Sequence, residues 1–251
     1  MLNRWLENLV TWREAPTLAM GGRAVRRPEF AAADLGRSWS LFNSATLLRP
    51  VLETDRTRVL DEVEAFYAAS NAACPRDDFL LWSPWRVPGL DARGWKLHDH
   101  MVMMHRGVNA ARQTPPPQGL TIERVCDAIT LSTFVDVVAR AFPFPDLRSA
   151  PDAWDERVLS HPRLRFWLGR FDGHPVATSA TVVAGGLNGV TLVATLPEFR
   201  QQEFGAALAW QAATAEPSLP SALLAGEKPR PVYERLGFTP ITPFTVWSHQ
   251  R

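Results

Sequence analysis

The sequence predicts an α/β fold built around a mixed, twisted sheet. Residues 129–142 carry apolar side chains at helical spacing, and residues 55–67 show a second amphipathic helical stripe. Residues 165–171 and 176–183 are predicted to be strands, and the Asp and Gly within 172–175 favour a hairpin turn between them. Helices that alternate with strands in this way are typical of a sheet covered by helices.

Composition limits the class of protein. Hydrophobic residues make up 46% of the 251 residues, enough to build one large domain or two smaller ones. The net charge of +1 argues against nucleic acid as a partner, because such binding needs a basic surface. Cys74 and Cys126 form no paired motif, which predicts a reducing, cytoplasmic location. No apolar run approaches the ~18 residues of a membrane span, and residues 1–10 indicate an amphipathic helix, not a signal peptide.

A run of three prolines divides the chain. We predict a first unit at residues 1–113, a linker at 114–119 and a second unit at 120–251, because consecutive prolines favour a stiff, extended connector. The order predicted for the second unit is β-α-α-β-β-β-α-β-α-β, and Pro151 is expected to open its second helix. The second unit therefore has enough elements to form a complete α/β domain.

The first unit is predicted to be a truncated α/β half. Its helix is at 55–67, and strands are predicted at 39–43, 79–82 and 100–104. One helix and three strands are too few for a complete second copy of an α/β domain.

Two polar clusters in the first unit favour ordinary structural roles. His98 and His100 would share one face of a strand, as metal ligands can, but no further ligand lies at suitable spacing on that face. We therefore expect no metal site. Arg23, Arg26 and Arg27 are expected to lie in a solvated loop.

The last third of the chain carries a recognisable order of motifs. A strand at 190–196 is followed by Pro197 and a strand-to-helix turn, and Tyr233 then precedes Gly237 and Phe238 near the C-terminus. This order resembles the acyl-CoA-binding half of the GCN5-related N-acetyltransferases, the GNAT family. The resemblance implies a complete GNAT fold in the second unit.

The resemblance also implies a plan for the first unit. It would be a partial GNAT-like α/β lobe without a CoA site of its own, because it has no glycine-rich strand-to-helix turn and no match to the Tyr233 motif. Such a lobe would pack on the catalytic unit and form a wall of the acceptor pocket. Trp82, Trp85 and Trp95 favour core packing, and the alternative is an aromatic wall for an apolar or planar acceptor.

Acetyl-CoA or another acyl-CoA is the co-substrate that the resemblance implies. Pantetheine amides would pair with the exposed backbone of Val193, Ala194 and Thr195, where members of the family kink this strand away from its neighbour. The diphosphate would bind backbone N–H groups at a helix N-terminus. Arg200, Gly205 and Ala206 match this motif, and the residues that would line the diphosphate are Arg200, Gln201, Gln202, Phe204, Gly205 and Ala206.

Glu203 departs from the motif, because the family has glycine at this position. A glutamate adds bulk and a negative charge where the helix dipole would attract phosphate. Either Glu203 points outward and CoA still binds, or the diphosphate site is lost. In the second case the chain would be a binding or regulatory module, or would use a donor without the 3′-phospho-ADP end.

Acyl transfer to an amine of a small molecule is the function that the resemblance implies, by direct attack in a ternary complex. Tyr233 is the predicted catalytic residue, because a neutral phenol can protonate the departing thiolate. The sequence does not identify the general base. The candidates are Glu227, Asp172, His161 and His174, but a solvated surface or turn position is favoured for each. The composition is compatible with a monomer or a homodimer.

Overall fold

The computed structural model describes residues 1–37, 40–69, 78–108, 115–142 and 154–250. Its helices are α1 (Leu2–Ala19), α2 (Glu53–Ala68), α3 (Ala128–Ala141), α4 (Phe204–Ala213) and α5 (Arg230–Arg235). Its strands are β1 (Arg23–Arg26), β2 (Phe30–Asp34), β3 (Ser44–Leu47), β4 (Asp78–Ser83), β5 (Lys96–Arg106), β6 (Leu120–Arg124), β7 (Leu164–Phe171), β8 (His174–Ala184), β9 (Leu187–Thr195), β10 (Ser221–Ala225) and β11 (Thr239–Gln250).

The eleven strands of the described residues form one mixed sheet in the order β1-β2-β3-β4-β11-β5-β10-β9-β8-β7-β6. The C-terminal strand β11 lies between β4 and β5, and it pairs antiparallel with both. In turn, β5 lies between β11 and β10 and is antiparallel to both. The predicted units at 1–113 and 120–251 therefore share one sheet, in which each contributes a strand between two strands of the other.

Helices cover both faces of the second unit's strands. Alternate residues of β8 face opposite sides, and Ala180 and Val182 join the core formed by α1, α3 and β7. On the other side, Ser179 Oγ donates to Leu208 O of α4 at 2.7 Å. The sheet is thus buried between α1 and α3 on one face and α4 on the other, while α2 packs on β2, β3 and β4.

Helix α1 is fixed to the second unit by a buried amide. Asn8 Nδ2 donates to Val182 O and Ala184 O at 2.9 Å each, at the end of β8. The close approach depends on Gly189 of β9, because a Cβ there would lie 1.8 Å from Asn8 Oδ1. The first helix of the chain is therefore part of the core around β8 and β9.

Apart from its second helix, the regular elements predicted for the second unit are confirmed where the structure describes them. The β7–β8 hairpin turns at Asp172 and Gly173, whose φ angles of 48° and 80° are those of a tight primed turn. Helix α3 begins after Asp127, whose side chain accepts a hydrogen bond from Thr130 N at 2.8 Å. The helix predicted from Pro151 through Trp154 and Val158 is wrong for its described part: Trp154 and Asp155 are not helical, and a short 3₁₀ turn covers Glu156–Ser160, where Asp155 accepts from Arg157 N. Residues 151–153 lie outside the described part.

Two predictions for the first unit are wrong. The strand predicted at 39–43 is absent from the described residues 40–43, because Asn43 holds a turn there: its Oδ1 accepts from Leu35 N at 2.9 Å. Residues 38 and 39 lie outside the described part. Of the arginines predicted to lie in a solvated loop, Arg23 and Arg26 instead belong to β1, where Arg26 pairs with Glu14 at 2.6 Å, whereas Arg27 follows the strand in an exposed loop.

Residues 115–119 of the predicted linker contain no helix or strand, and residues 113 and 114 lie outside the described part. None of the described helices is long and apolar enough to cross a membrane.

The shared sheet predicts that neither unit folds alone. We expect residues 120–251, expressed without the first unit, to aggregate, because β10 and β11 would each lack β5 as a hydrogen-bonding partner. Coexpression with residues 1–113 is expected to restore a stable heterodimer. The measurement is size-exclusion chromatography with circular dichroism, and the full chain cleaved within 114–119 serves as the control. A cooperatively unfolding monomer of 120–251 would contradict this expectation.

Candidate functional site

An opening between β9 and β10 forms the candidate site. The two parallel strands pair only at Ser221 with Asn188 and at Ala222 with Gly189. Both strands then continue, β9 as far as Thr195 and β10 as far as Ala225, without further pairing between them. The facing backbone edges of the two strands are therefore available to a ligand.

A bulge in β9 accompanies the separation. The register with β8 shifts between the pairs Thr178–Ala194 and Ala180–Thr191, so β9 has one extra residue there. Leu192 adopts a φ of 48°, a conformation that is rare for a branched, bulky residue. Because a bulge bends and twists its strand, this one turns β9 away from β10. Thr178 supports the bend by donating its hydroxyl to Leu192 O at 3.0 Å.

A cavity of about 370 Å³ lies at this opening. Its walls include Val193 of β9 and Leu224 of β10, and Tyr233 of α5 closes one side. The first unit supplies further walls through α1, β4 and β5. The cavity therefore lies where the two predicted units meet.

Tyr233 presents a protonated phenol to this cavity. Its side chain is 8% exposed, and burial raises the pKa of its hydroxyl to about 12. The ring packs edge-on against Phe238 at 6.1 Å between centroids, and Phe238 N donates to Tyr233 O at 3.0 Å. Gly237, with a φ of 85°, ends the helical turn and allows this return of the chain. Tyr233 is thus both held in place and kept neutral.

The N-terminus of α4 lies next to the end of β9. As in any α-helix, the first N–H groups, those of Phe204, Gly205 and Ala206, have no acceptor within the helix. A Cβ on Gly205 would lie 3.0 Å from Thr195 Oγ1, so glycine allows the helix to start close to the strand. The structure therefore places the predicted 193–195 edge and the predicted helix N-terminus side by side.

The side chains of several predicted diphosphate residues have other partners. Arg200 donates to Ala141 O at 3.0 Å and to Thr195 O at 3.3 Å, and so joins α3 to β9. Phe204 is 2% exposed and packs in the core, and Ala206 is also buried. Gln201 and Gln202 are exposed. A phosphate group at this helix would therefore be bound mainly through backbone N–H groups.

Glu203 caps α4 in a left-handed conformation with a φ of 60°. This geometry explains the family's glycine, because a non-glycine residue here costs about 1–2 kcal/mol. The carboxylate gives no side-chain cap to the helix and instead accepts from Arg235 of α5 at 2.9 Å. The charge of Glu203 is therefore paired with a cation on the helix that carries Tyr233.

The histidine pair of the first unit is separated by a second bulge. On β5, Asp99 pairs with Val246 and Leu97 with the next residue of β11, so His98 is an extra residue. His98 and Asp99 line the cavity, whereas His100 lines a separate surface depression. The expectation that His98 and His100 share a face is therefore wrong. The described residues contain no group of three or more His, Cys, Asp or Glu side chains placed to hold a metal ion.

The base candidates suggested by the sequence do not line this cavity. Glu227, Asp172, His161 and His174 are all described residues, and none contributes to its walls. The titratable groups on the walls are instead His98 and Asp99 of β5, with Tyr233 and Arg13. Only the three-dimensional pairing of β5 with β10 brings those two residues to the site, so no local motif could have identified them.

Helix α1 also contributes side chains that the sequence did not identify as functional. Trp5, Leu9, Trp12 and Arg13 line the cavity from one face of this helix. Their spacing predicts only an amphipathic helix. Of the three tryptophans considered above, Trp82 lines the cavity and is mostly buried.

Trp95 belongs to the core beneath α2, where it packs edge-on against Phe79 at 5.1 Å. Trp85 lines the separate surface depression. The preferred core role is confirmed for Trp95 and Trp82, and Trp82 also lines the cavity, as the alternative of an aromatic wall would require.

No family model and no curated protein sequence matches this chain. Solved structures do match it. A GCN5-related N-acetyltransferase from Kribbella flavida is 19% identical, with a TM-score of 0.66 over 96% of this chain and 95% of that chain. A conserved protein of unknown function from Staphylococcus epidermidis is 12% identical, with a TM-score of 0.70 over 92% and 95%.

A GCN5-related N-acetyltransferase from Sphaerobacter thermophilus is 14% identical, with a TM-score of 0.59 over 88% of this chain and 76% of that chain. Identities this low show the fold alone. The predicted α/β class is confirmed, and over nearly its whole length the chain has the fold of the GCN5-related N-acetyltransferases.

Proposed function

We propose that this chain is an acyltransferase that moves an acetyl or other short acyl group from acyl-CoA to an amine of a small molecule. The observation that carries the proposal is the parting of β9 from β10 at a bulge, with a neutral tyrosine facing the opening. A pantetheine chain is a row of amides, and an unpaired strand edge can bind it as a further strand. Because backbone N–H and C=O groups are nearly always hydrogen-bonded, two unpaired strand edges beside a cavity favour a ligand that pairs with them.

The chain's residues fit an acyl-CoA at both ends. The β9 edge at Val193, Ala194 and Thr195 offers backbone groups to the pantetheine arm, and the start of α4 offers N–H groups to the diphosphate. A backbone N–H of the bulged strand would also polarise the thioester carbonyl. When bound, acyl-CoA supplies the activated carbonyl carbon.

The transfer then needs one proton removed and one supplied. The amine nitrogen forms the new C–N bond and loses a proton to a base, while the C–S bond breaks and the thiolate sulfur takes the proton of Tyr233. The phenolate is reprotonated from solvent. Asp99 and His98 are the wall residues able to accept the amine proton, directly or through water. Direct attack in a ternary complex requires no covalent intermediate on the protein.

Glu203 supports a second candidate function, that of a binding or regulatory module with an impaired CoA site. A side chain in the strained, left-handed position crowds the start of α4, and Arg200 is engaged with backbone carbonyls. Calorimetric titration with acetyl-CoA, dephospho-CoA and pantetheine distinguishes the two functions. Micromolar binding of acetyl-CoA supports the transferase. If none of the three ligands binds, the module is favoured.

Removing the Tyr233 hydroxyl tests the catalytic role. We expect Tyr233→Phe to lower kcat by about 10²- to 10⁴-fold, because the thiolate loses its proton donor. Acetyl-CoA binding should be unchanged. The measurement is thiol release from acetyl-CoA with a panel of small amines.

The chain provides a matched control in its other tyrosine. Tyr67 lies in the first unit's core, where its hydroxyl donates to Ala33 O at 3.1 Å. Tyr67→Phe should leave kcat unchanged. Equal activity of the parent and Tyr233→Phe would remove Tyr233 from the mechanism.

Burial of Tyr233 predicts an unusual ionisation. Because the phenolate is disfavoured inside the cavity, the folded protein should ionise Tyr233 near pH 12 and not near the ordinary value of 10. The raised pKa means that Tyr233 contributes to stability below pH 10 and that this contribution is lost as the pH rises towards 12. The measurement is the tyrosinate absorbance of the parent minus that of Tyr233→Phe. A midpoint near 10 would show a solvated hydroxyl.

Replacing Glu203 by glycine separates strain from charge. We expect Glu203→Gly to raise the free energy of unfolding by about 1 kcal/mol, because glycine tolerates the left-handed conformation and the exposed pair with Arg235 contributes little. Acetyl-CoA should bind about 2- to 5-fold more tightly, since no carboxylate competes for the helix dipole. Glu203→Gln is the control that removes the charge but keeps the strain. Weaker binding to the glycine variant would show that Glu203 assists the ligand.

A further inference from the structure

Arg13 is a buried cation at the cavity that has no counter-ion among the described residues. Its side chain is 4% exposed and lines the cavity from α1. The guanidinium lies over the ring of Trp82, with 4.5 Å from its central carbon to the ring centroid. Its Nε has no hydrogen-bond acceptor in the described part of the chain.

Such an arrangement is costly for the protein alone. Burial of an arginine without a carboxylate removes its hydration, and the ring of Trp82 and the electrostatic attraction of Tyr67 replace only part of it. Consistent with this, burial lowers the pKa of Arg13 to about 9. Two other arginines of the first unit have acids: Arg23 pairs with Asp34 at 2.9 Å and Arg93 with Glu64 at 2.6 Å. Arg13 differs from these two in having no carboxylate partner among the described residues, although it is more deeply buried.

The same cavity wall holds more unsatisfied polar atoms. Asn8 Oδ1 and the indole N–H groups of Trp5, Trp12 and Trp82 are buried without a hydrogen-bond partner in the described residues. Buried polar groups are nearly always satisfied, so a group of them around one cavity indicates hydrogen bonds made by a ligand. Three of these atoms are donors, which suits an acceptor-rich ligand such as an anion.

Arg13 lies on the acceptor side of the opening. Helix α1 packs with α3 on one face of the sheet, whereas α4, whose N-terminus would receive the diphosphate, packs on the other. The guanidinium is thus separated from the diphosphate end by the sheet itself. A group bound to Arg13 belongs to the molecule that enters the cavity from the α1 face.

We propose that Arg13 binds a carboxylate of the acceptor, so that the substrate is an amine that also carries a carboxylate and an apolar or aromatic body. This inference rests on the proposed function and names its acceptor class. A guanidinium can bind a carboxylate through two parallel hydrogen bonds, and Trp82 holds its plane. Trp5, Leu9 and Trp82 supply the apolar surface for the body.

A carboxylate fits this site better than a phosphate group. Arg13 is the only arginine or lysine among the described residues of the cavity wall, and Asp99 adds a negative charge there. A dianionic phosphate would leave one charge uncompensated in a mostly apolar cavity. A monoanion matches the single guanidinium.

Binding of simple probes tests the inference without requiring catalysis. The probes are 3-phenylpropanoate, L-phenylalanine and benzoate, with 3-phenylpropanamide and phenyl phosphate as the neutral and phosphate analogues, titrated by calorimetry and by tryptophan fluorescence. We expect at least one carboxylate to bind the parent, with about 10- to 100-fold preference over the amide. Arg13→Met should abolish that preference, and Arg13→Lys should restore part of it.

A distant arginine supplies the control. Arg49 pairs with Glu29 at 2.6 Å on the surface, so Arg49→Met should leave carboxylate binding unchanged. Three outcomes would overturn the inference: no carboxylate binds, the amide binds equally well, or only phenyl phosphate binds. If carboxylates bind through Arg13 but acetyl-CoA does not bind, the subsite stands and the transferase proposal fails.

A stability measurement distinguishes recognition from packing. If Arg13 serves a ligand, Arg13→Met should melt at the same or a higher temperature than the parent, because an unpaired buried charge is replaced by an apolar side chain of similar length. The carboxylate probe should raise the melting temperature of the parent and not that of Arg13→Met. A variant that melts much lower, with unchanged carboxylate preference, would show that Arg13 acts only by packing on Trp82.

Discussion

The pairing of β5 with β10 is the interaction on which the site depends. Beyond Gly189, β9 no longer pairs with β10. From there on, β10 would have no hydrogen-bonded neighbour if β9 were its only partner. The first unit provides that neighbour, because β5 pairs with β10 along its whole length, from Ser221 with Arg106 to Ala225 with Val102. The sheet can therefore open on one side of β10 while its hydrogen bonds on the other side hold it. Removing the first unit would remove the condition for the opening as well as a wall of the cavity.

The candidate site, which consists of the cavity and the adjoining start of α4, combines features that are unfavourable for folding. Leu192 and Glu203 occupy left-handed conformations, and Arg13 is buried without an acid among the described residues. Strain and unsatisfied charge of this kind persist only where the surrounding structure determines them. The stabilising contacts are a hydrogen bond from Thr178 to the bulge, an ion pair between Arg235 and Glu203, and the packing of Arg13 on the ring of Trp82. The clustering of these costs around one opening is the physical reason for placing function there.

Local patterns in the sequence were sufficient for the elements with clear periodicity. Helices α2 and α3 and the β7–β8 hairpin follow from spacing and turn residues, and the Tyr233 motif predicted the position of α5. Strand β2 was missed because Phe30–Asp34 is buried on both faces, so its alanines show no alternation of polar and apolar residues. The turn at Asn43 depends on contacts with Leu35, which no local pattern contains.

The walls of the cavity could not be predicted, because they arise from non-local pairing. The exchange of β5 and β11 between the two predicted units joins residues more than a hundred positions apart, such as His105 and Thr239. Dividing the sequence into two consecutive units, each with its own sheet, does not predict strands of one unit pairing between strands of the other. For the same reason, the sequence pattern alone indicates no functional role for Asp99 or Arg13.

Glu203 shows how the two ends of the candidate site are connected. The objection to a glutamate at this position has two parts, the strain of its backbone and the charge of its side chain. The ion pair with Arg235 answers the second, because an anion paired with a cation competes less for the helix dipole. The ion pair also joins the start of α4, which would bind the diphosphate, to α5, whose Tyr233 would supply the proton. A glycine at position 203 would adopt the left-handed conformation without strain, but it could not form the ion pair with Arg235. Glu203 therefore has a strained backbone but provides a contact between α4 and α5.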